Sequence, residues 1–118
     1  MKGSGEYPYL IRYDPETKRV DFIGDLALEG PKEYKPIKDL LNGIVNAEPE
    51  PEEVTLNLRE LGFSNSSGIH MLSKFVMKIR KKKGMQLVVQ GSEEIAWQAK
   101  SLINLKKLLP DRLTLELE

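Results

Sequence analysis

Between residues 54 and 79 the hydrophobic period of the chain changes from two to about 3.6, which dictates a strand that gives way to a helix. Val54-Thr55-Leu56-Asn57-Leu58 places apolar side chains at alternate positions, as a half-buried strand requires. Ile69, Leu72, Val76 and Ile79 then recur at helical spacing, and Met71 and Phe75 widen that stripe. The junction, Phe63-Ser64-Asn65-Ser66-Ser67-Gly68, reads as a short polar loop. Each of its four small polar residues, Ser64 to Ser67, is able to cap the helix by accepting a bond from an orphan backbone amide. Capping accounts for one or two of them. No Glu or Gln stands three residues on to complete a capping box, so the expectation is a free hydroxyl in the first turn. There the helix dipole and unpaired amides favour an anion by roughly 0.3–1 kcal/mol at an exposed site.

The flanking segments read as further regular elements. Tyr7 to Tyr13 alternates aromatic and aliphatic residues, Asp14-Pro15-Glu16-Thr17 supplies a turn, and Val20 to Leu28 returns, which predicts a hairpin. Ile37, Leu40, Leu41, Ile44 and Val45 form a helical array, complete by Asn46, with Pro31 and Pro36 placed near its start. The acidic segment between Ala47 and Glu53 holds two prolines and reads as an exposed connector. Met85 to Val89 is almost continuously apolar, the pattern of a strand buried on both faces or central in its sheet. Gly91 and Ser92 lead into a helix with Ile95, Ala99, Leu102 and Ile103 on one side, and Leu113, Leu115 and Leu117 alternate in a last strand. Residues 1–6 carry glycine and serine and nothing to bury, so a flexible leader is expected there, with one domain over 7–118.

The junction and the order of these elements resemble the STAS domain, specifically the bacterial anti-sigma-factor antagonist type. That family has a buried strand, an aromatic or apolar residue, a spacer, then Asp-Ser-Ser-Gly or Asp-Ser-Thr-Gly, an aliphatic residue and a helix. Here Phe63 and Ser64 precede Asn65-Ser66-Ser67-Gly68-Ile69, with Asn65 where the family usually has Asp. The likeness runs from about Tyr9 to the end, and outside the junction it rests on the order of elements. It implies an α/β fold, a STAS-like single domain with a mixed sheet of about five strands and about three helices packed mainly on one face. Family members commonly close with another helix, so one side of the sheet is expected to be less covered. The resemblance also implies a non-enzymatic phosphoprotein of a partner-switching system. In such a system the unmodified protein binds a serine kinase that doubles as an anti-sigma factor, phosphorylation ends the complex, and a metal-dependent serine phosphatase restores it. Ser67, just before the glycine, is the implied acceptor, and Ser66 the second choice. Ser64, Asn65, Ser66, Ser67, Gly68, Ile69, His70 and Met71 form the expected contact surface. The alternative is a STAS-fold scaffold or small-ligand module that is not phosphorylated.

Composition narrows the other classes. With 118 residues the chain suits one domain burying somewhat more than roughly 60% of its unfolded surface. No apolar run approaches the roughly 20 residues that span a bilayer, so neither membrane insertion nor a signal peptide is expected. Cysteine is absent and histidine single, which removes thiolate metal sites and disulfides and makes a cytoplasmic setting, without metal or cofactor, the expectation. Eighteen basic residues balance eighteen acidic ones, which argues against nucleic acid as partner. The basic run Lys78 to Lys83 reads as cations complementing a helix C-terminus, with Gly84 as left-handed cap. His70 lies close to Ser66 and Ser67, but no nucleophile elbow or orienting acid accompanies it, so it reads as a surface residue and not a catalytic base. Glycine patterns for nucleotide phosphates are absent. Trp97 falls off its helix stripe and is expected to pack under a loop.

Overall fold

The computed structural model describes residues 9–118, so the expected leader and the start of the first strand, Tyr7 and Pro8, lie outside the described residues. Strand β1 (Tyr9–Asp14) and strand β2 (Arg19–Leu26) form the hairpin. Helix α1 (Gly30–Val45), strand β3 (Glu53–Ser64), helix α2 (Ser66–Arg80), strand β4 (Gln86–Gly91), helix α3 (Ala96–Leu108) and strand β5 (Leu113–Leu117) follow. The five strands lie in chain order in one sheet, with β1 antiparallel to β2 and the remaining pairs parallel. Each parallel pair is joined through a helix, and because the order advances one way across the sheet, crossovers of one hand bring all three helices to one face. Burial follows that layering. Val54, Leu56 and Leu58 of β3 are sealed beneath the helices, whereas Thr55 and Asn57 between them are only half-buried. On that outer face Asn57 donates to Asp21, which Arg19 also reaches at 3.0 Å.

Three sequence expectations require correction. Of the two readings of strand β4, the central position holds, since it pairs with both β3 and β5, but burial on both faces does not: Leu87 and Val89 enter the core while Val88 is half-buried, because no second helical layer covers the outer face. On α3 the buried positions are Gln98, Leu102 and Leu105, whereas Ala99 and Ile103 are exposed. The stripe turned because a polar residue, Gln98, begins it in the first turn. Pro36 lies inside α1 and not near its start, which is tolerated on the exposed side of a helix that already begins at Gly30.

Strand β3 is longer than its alternation reveals. Its register against β2 slips twice, between Asp21 and Ile23 and between Gly24 and Asp25. After the first slip its buried residues come every third position, Leu58, Leu61 and Ser64, where an unbroken strand would bury every second. Pairing with β4 extends only to Asn57. The carbonyls of Leu58 and Leu61 are therefore left without strand partners on that side, and α3 supplies substitutes. Gln98 Nε2 donates to both, at 2.5 Å and 2.9 Å, and Trp97 Nε1 donates to the Leu61 carbonyl at 3.1 Å. Trp97 thus packs half-buried against the core, in line with the packing expected of it.

Helix α2 ends at Arg80 and is capped by Lys81 in the right-handed region, so Lys82 and Lys83 lie beyond it, and Gly84, expected as the cap, instead has its positive φ of 76° three residues past the cap. The final carbonyls are held from another element. The Arg112 guanidinium donates to the carbonyls of Arg80, Lys82 and Met85, tying this end of α2 to the start of β5.

Candidate functional site

Strand β3 meets helix α2 at a single residue, Asn65, and no polar loop intervenes. Ser64, expected in that loop, closes the strand and is only 5% exposed. Asn65 is the N-cap, with φ −77° and ψ 175°. Its side-chain oxygen accepts from the Gly68 amide at 2.9 Å and from the Tyr34 hydroxyl at 2.7 Å, and its amide nitrogen donates to the Leu28 carbonyl at 2.8 Å. Its backbone amide donates to the Leu26 carbonyl at 2.9 Å. The Leu28 amide in turn donates to the Tyr34 oxygen at 3.3 Å. One residue therefore fastens the end of β2 through its backbone, and through its side chain the connection into α1, α1 itself and the first turn of α2. The donor role explains why Asn stands here in place of Asp: a carboxylate has nothing to offer the Leu28 carbonyl.

With the cap made by Asn65, the two serines that follow are released from that duty. Ser66 and Ser67 occupy the first turn of α2, both exposed, and neither hydroxyl has a hydrogen-bond partner among the described residues. No acidic residue lies in that turn, so the positive end of the helix is uncompensated. Gly68 is buried behind them. A Cβ at that position would stand 2.4 Å from Ser64 Oγ and 3.0 Å from the Tyr34 hydroxyl, which is the close approach that calls for glycine. Ile69 is half-buried, His70 exposed and Met71 buried in the core. Of the eight residues expected to form a contact surface, Asn65, Ser66, Ser67, Ile69 and His70 thus reach solvent, while Ser64, Gly68 and Met71 shape it from beneath.

Ser66, Ser67 and His70 open onto a groove of about 280 Å³ that is also lined by Gly30, Pro31, Tyr34, Lys38, Met71 and Lys74. Tyr34, Lys38 and Lys74 were missed by sequence reasoning. Tyr34 was recoverable, since it stands three residues before Ile37 on the stripe of α1; the lysines were not, because a pairing of helices brings them together. No group of three or more His, Asp or Glu residues among the described residues is placed to hold a metal ion.

Burial pushes the Tyr34 phenol above its ordinary value of 10.0. The stability this raised value contributes is fully present below the unfolded-state value near 10 and is lost as pH rises through the folded-state value. Tyr34→Phe, which has no proton to lose, is expected to show a flatter decline of the urea midpoint than the parent above about pH 10. Parallel declines would contradict the assignment.

Neither a protein-family model nor a curated protein sequence matches the chain. Solved structures do. A chain in the crystal structure of the diguanylate cyclase SiaD with its activator SiaC from Pseudomonas aeruginosa superposes with a TM-score of 0.73 at 12% identity, covering 98% of this chain and 96% of that one. The chain has the SiaC fold. A structure of SiaC from the same organism gives 0.70 at 13% identity over 100% of this chain and 96% of that one, and apo-SiaC gives 0.67 at 12% identity over 92% and 89%. The STAS-like α/β architecture expected from the sequence is thus the observed one: a five-stranded mixed sheet with three helices. No helix among the described residues is long and apolar enough to cross a membrane.

Proposed function

We propose that the protein is a non-enzymatic regulator that works by partner switching, with Ser67 as the phosphate acceptor. The observation that carries this reading is the pair of exposed, unbonded hydroxyls at the start of α2, left free because Asn65 alone caps the helix. The fold shared with SiaC supports it, since SiaC is the activator of the diguanylate cyclase SiaD. By the STAS resemblance, the unmodified form binds a serine kinase that acts as an anti-sigma factor or in an equivalent role. Phosphorylation then ends that complex and a metal-dependent serine phosphatase restores it, all in the cytoplasm.

The physics of the junction suits such a switch. A phosphate adds about −1.5 to −2 charges where the helix field favours them, so the free protein tolerates it. Burying the same group against a partner requires its desolvation, which costs several kcal/mol unless the partner compensates it. Asn65, where the family usually has Asp, has a structural task of its own, since its amide holds the Leu28 carbonyl.

Incubation with the host's serine kinase and ATP, followed by fragmentation mass spectrometry, tests the assignment. One added phosphate on Ser67, absent in Ser67→Ala and retained in Ser66→Ala, is the expected result. An unmodified chain, or phosphate confined to other residues, would overturn it in favour of the scaffold.

A further inference from the structure

The groove beside Ser67 does not stop at the first turn of α2. A second depression of about 300 Å³ continues it, lined by Lys38, Leu41, Asn42, Met71, Lys74, Phe75 and Lys78, and the two share Lys38, Met71 and Lys74. Together they trace the seam between α1 and α2 from Ser66 to Lys78, roughly 18 Å at 1.5 Å per residue. Its floor is apolar, from Leu41, Met71 and Phe75, and its rim carries Lys38, Lys74 and Lys78 without a single carboxylate. On α1, by contrast, Lys35 pairs with Asp39 at 2.8 Å. The three rim lysines have no ion pair among the described residues. In a chain of zero formal net charge, this is a local excess of positive charge over an apolar strip.

We infer that this seam is the docking site for an acidic, amphipathic segment of the partner protein, whose apolar side chains lie on the floor while its carboxylates meet the rim lysines. Charge complementarity selects that occupant: a basic segment is repelled, and a purely polar one leaves the floor unused. The inference rests on Ser67 as the switch residue and gives the switch its mechanism. Side chains on α2 lean toward its N-terminus, so Lys74, two turns after Ser67 on the same side, extends toward a phosphate there. The phosphate draws the rim lysines and puts its own charge at the mouth of the seam, so the acidic segment is opposed twice.

The test uses a fluorescein-labelled synthetic peptide with Leu and Phe at helical i, i+3, i+4, i+7 spacing and Glu at the remaining positions, alongside a counterpart with Lys for every Glu. Anisotropy and amide chemical shifts of the full chain are recorded with each. The acidic peptide is expected to bind with an affinity that falls as salt rises, to perturb residues of the α1–α2 seam, and to lose at least tenfold in affinity with Lys38→Glu/Lys74→Glu/Lys78→Glu. Lys107→Glu, on α3, leaves binding unchanged. Equal binding of both peptides, perturbations away from the seam, or a single-stranded oligonucleotide bound as tightly as the acidic peptide would overturn the proposal. Absence of binding would do the same, once the triple variant and parent show matching amide spectra. The switch is read separately: a chain carrying phosphoserine at 67 is expected to bind the acidic peptide at least tenfold more weakly. If the unmodified chain binds in the seam but phosphoserine has no effect, the docking site stands and the role of Ser67 falls.

Discussion

Gln98→Leu lowers the stability of the domain by about 2–4 kcal/mol, despite its similar volume and greater apolarity. Gln98 is 0% exposed and all its polar atoms are used: the Ser92 amide donates to its oxygen at 2.8 Å and its nitrogen serves the Leu58 and Leu61 carbonyls. Leucine would fill the space yet leave the buried Leu58 carbonyl and the half-buried Ser92 amide without these partners. Only Leu61 keeps a donor, from Trp97. In a domain of this size the expected fall in Tm is roughly 8–20 °C. Because Trp97 packs on the same stretch of β3, its fluorescence should report loosening at lower denaturant than the far-ultraviolet signal. A change within about 0.5 kcal/mol would show that the slipped half of β3 does not depend on α3.

The second large effect is at the cap. Asn65→Ala removes the acceptor for the Gly68 amide and the Tyr34 hydroxyl and the donor to the Leu28 carbonyl, three bonds that join the connection after β2, α1 and α2. Loss of a cap costs about 0.5–2 kcal/mol and an orphaned buried partner about 1–3, so a combined loss of about 2–4 kcal/mol is expected. The more telling substitution is Asn65→Asp, which would make the junction more like the STAS pattern. It keeps the cap but sets a carboxylate oxygen against the Leu28 carbonyl, so it is expected to be less stable than the parent by about 1–3 kcal/mol at neutral pH. Chemical denaturation of the three proteins at pH 7 checks the order: parent, then Asp, then Ala. An Asp variant as stable as the parent would show that the bond to Leu28 contributes nothing.

Much of the fold was legible because local pattern and tertiary burial agree. The stripe from Ile69 to Ile79 is the buried face of α2, and the alternation from Val54 to Leu58 is centred on Thr55 to Asn57, the part of β3 paired on both sides. Legibility failed where a polar group does a core residue's work. Gln98 in the first turn of α3 inverts the hydrophobic reading of that helix, since its amide nitrogen is buried against carbonyls 37 and 40 residues away in the chain. The slips in β3 also left no clear trace, as Leu61 and Ser64 break both periods at once. At the site, the free hydroxyls were readable from the surplus of polar residues. Which residue caps was not, because it depends on Tyr34 and Leu28 arriving from the other side of the sheet connection. The rim lysines had no signal in the sequence: they matter only once α1 lies against α2.

The central claim is that an anion at the start of α2 changes docking without disturbing the core. Its most direct measurement pairs two readouts on protein with serine or site-specifically incorporated phosphoserine at position 67: the Kd for the host's serine kinase and the Tm. The account predicts binding weakened at least about 100-fold, equivalent to about 2.7 kcal/mol, with a Tm shifted by no more than about 4 °C. Equal Kd values for the two forms, or weakened binding accompanied by collapse of the Tm, would contradict it.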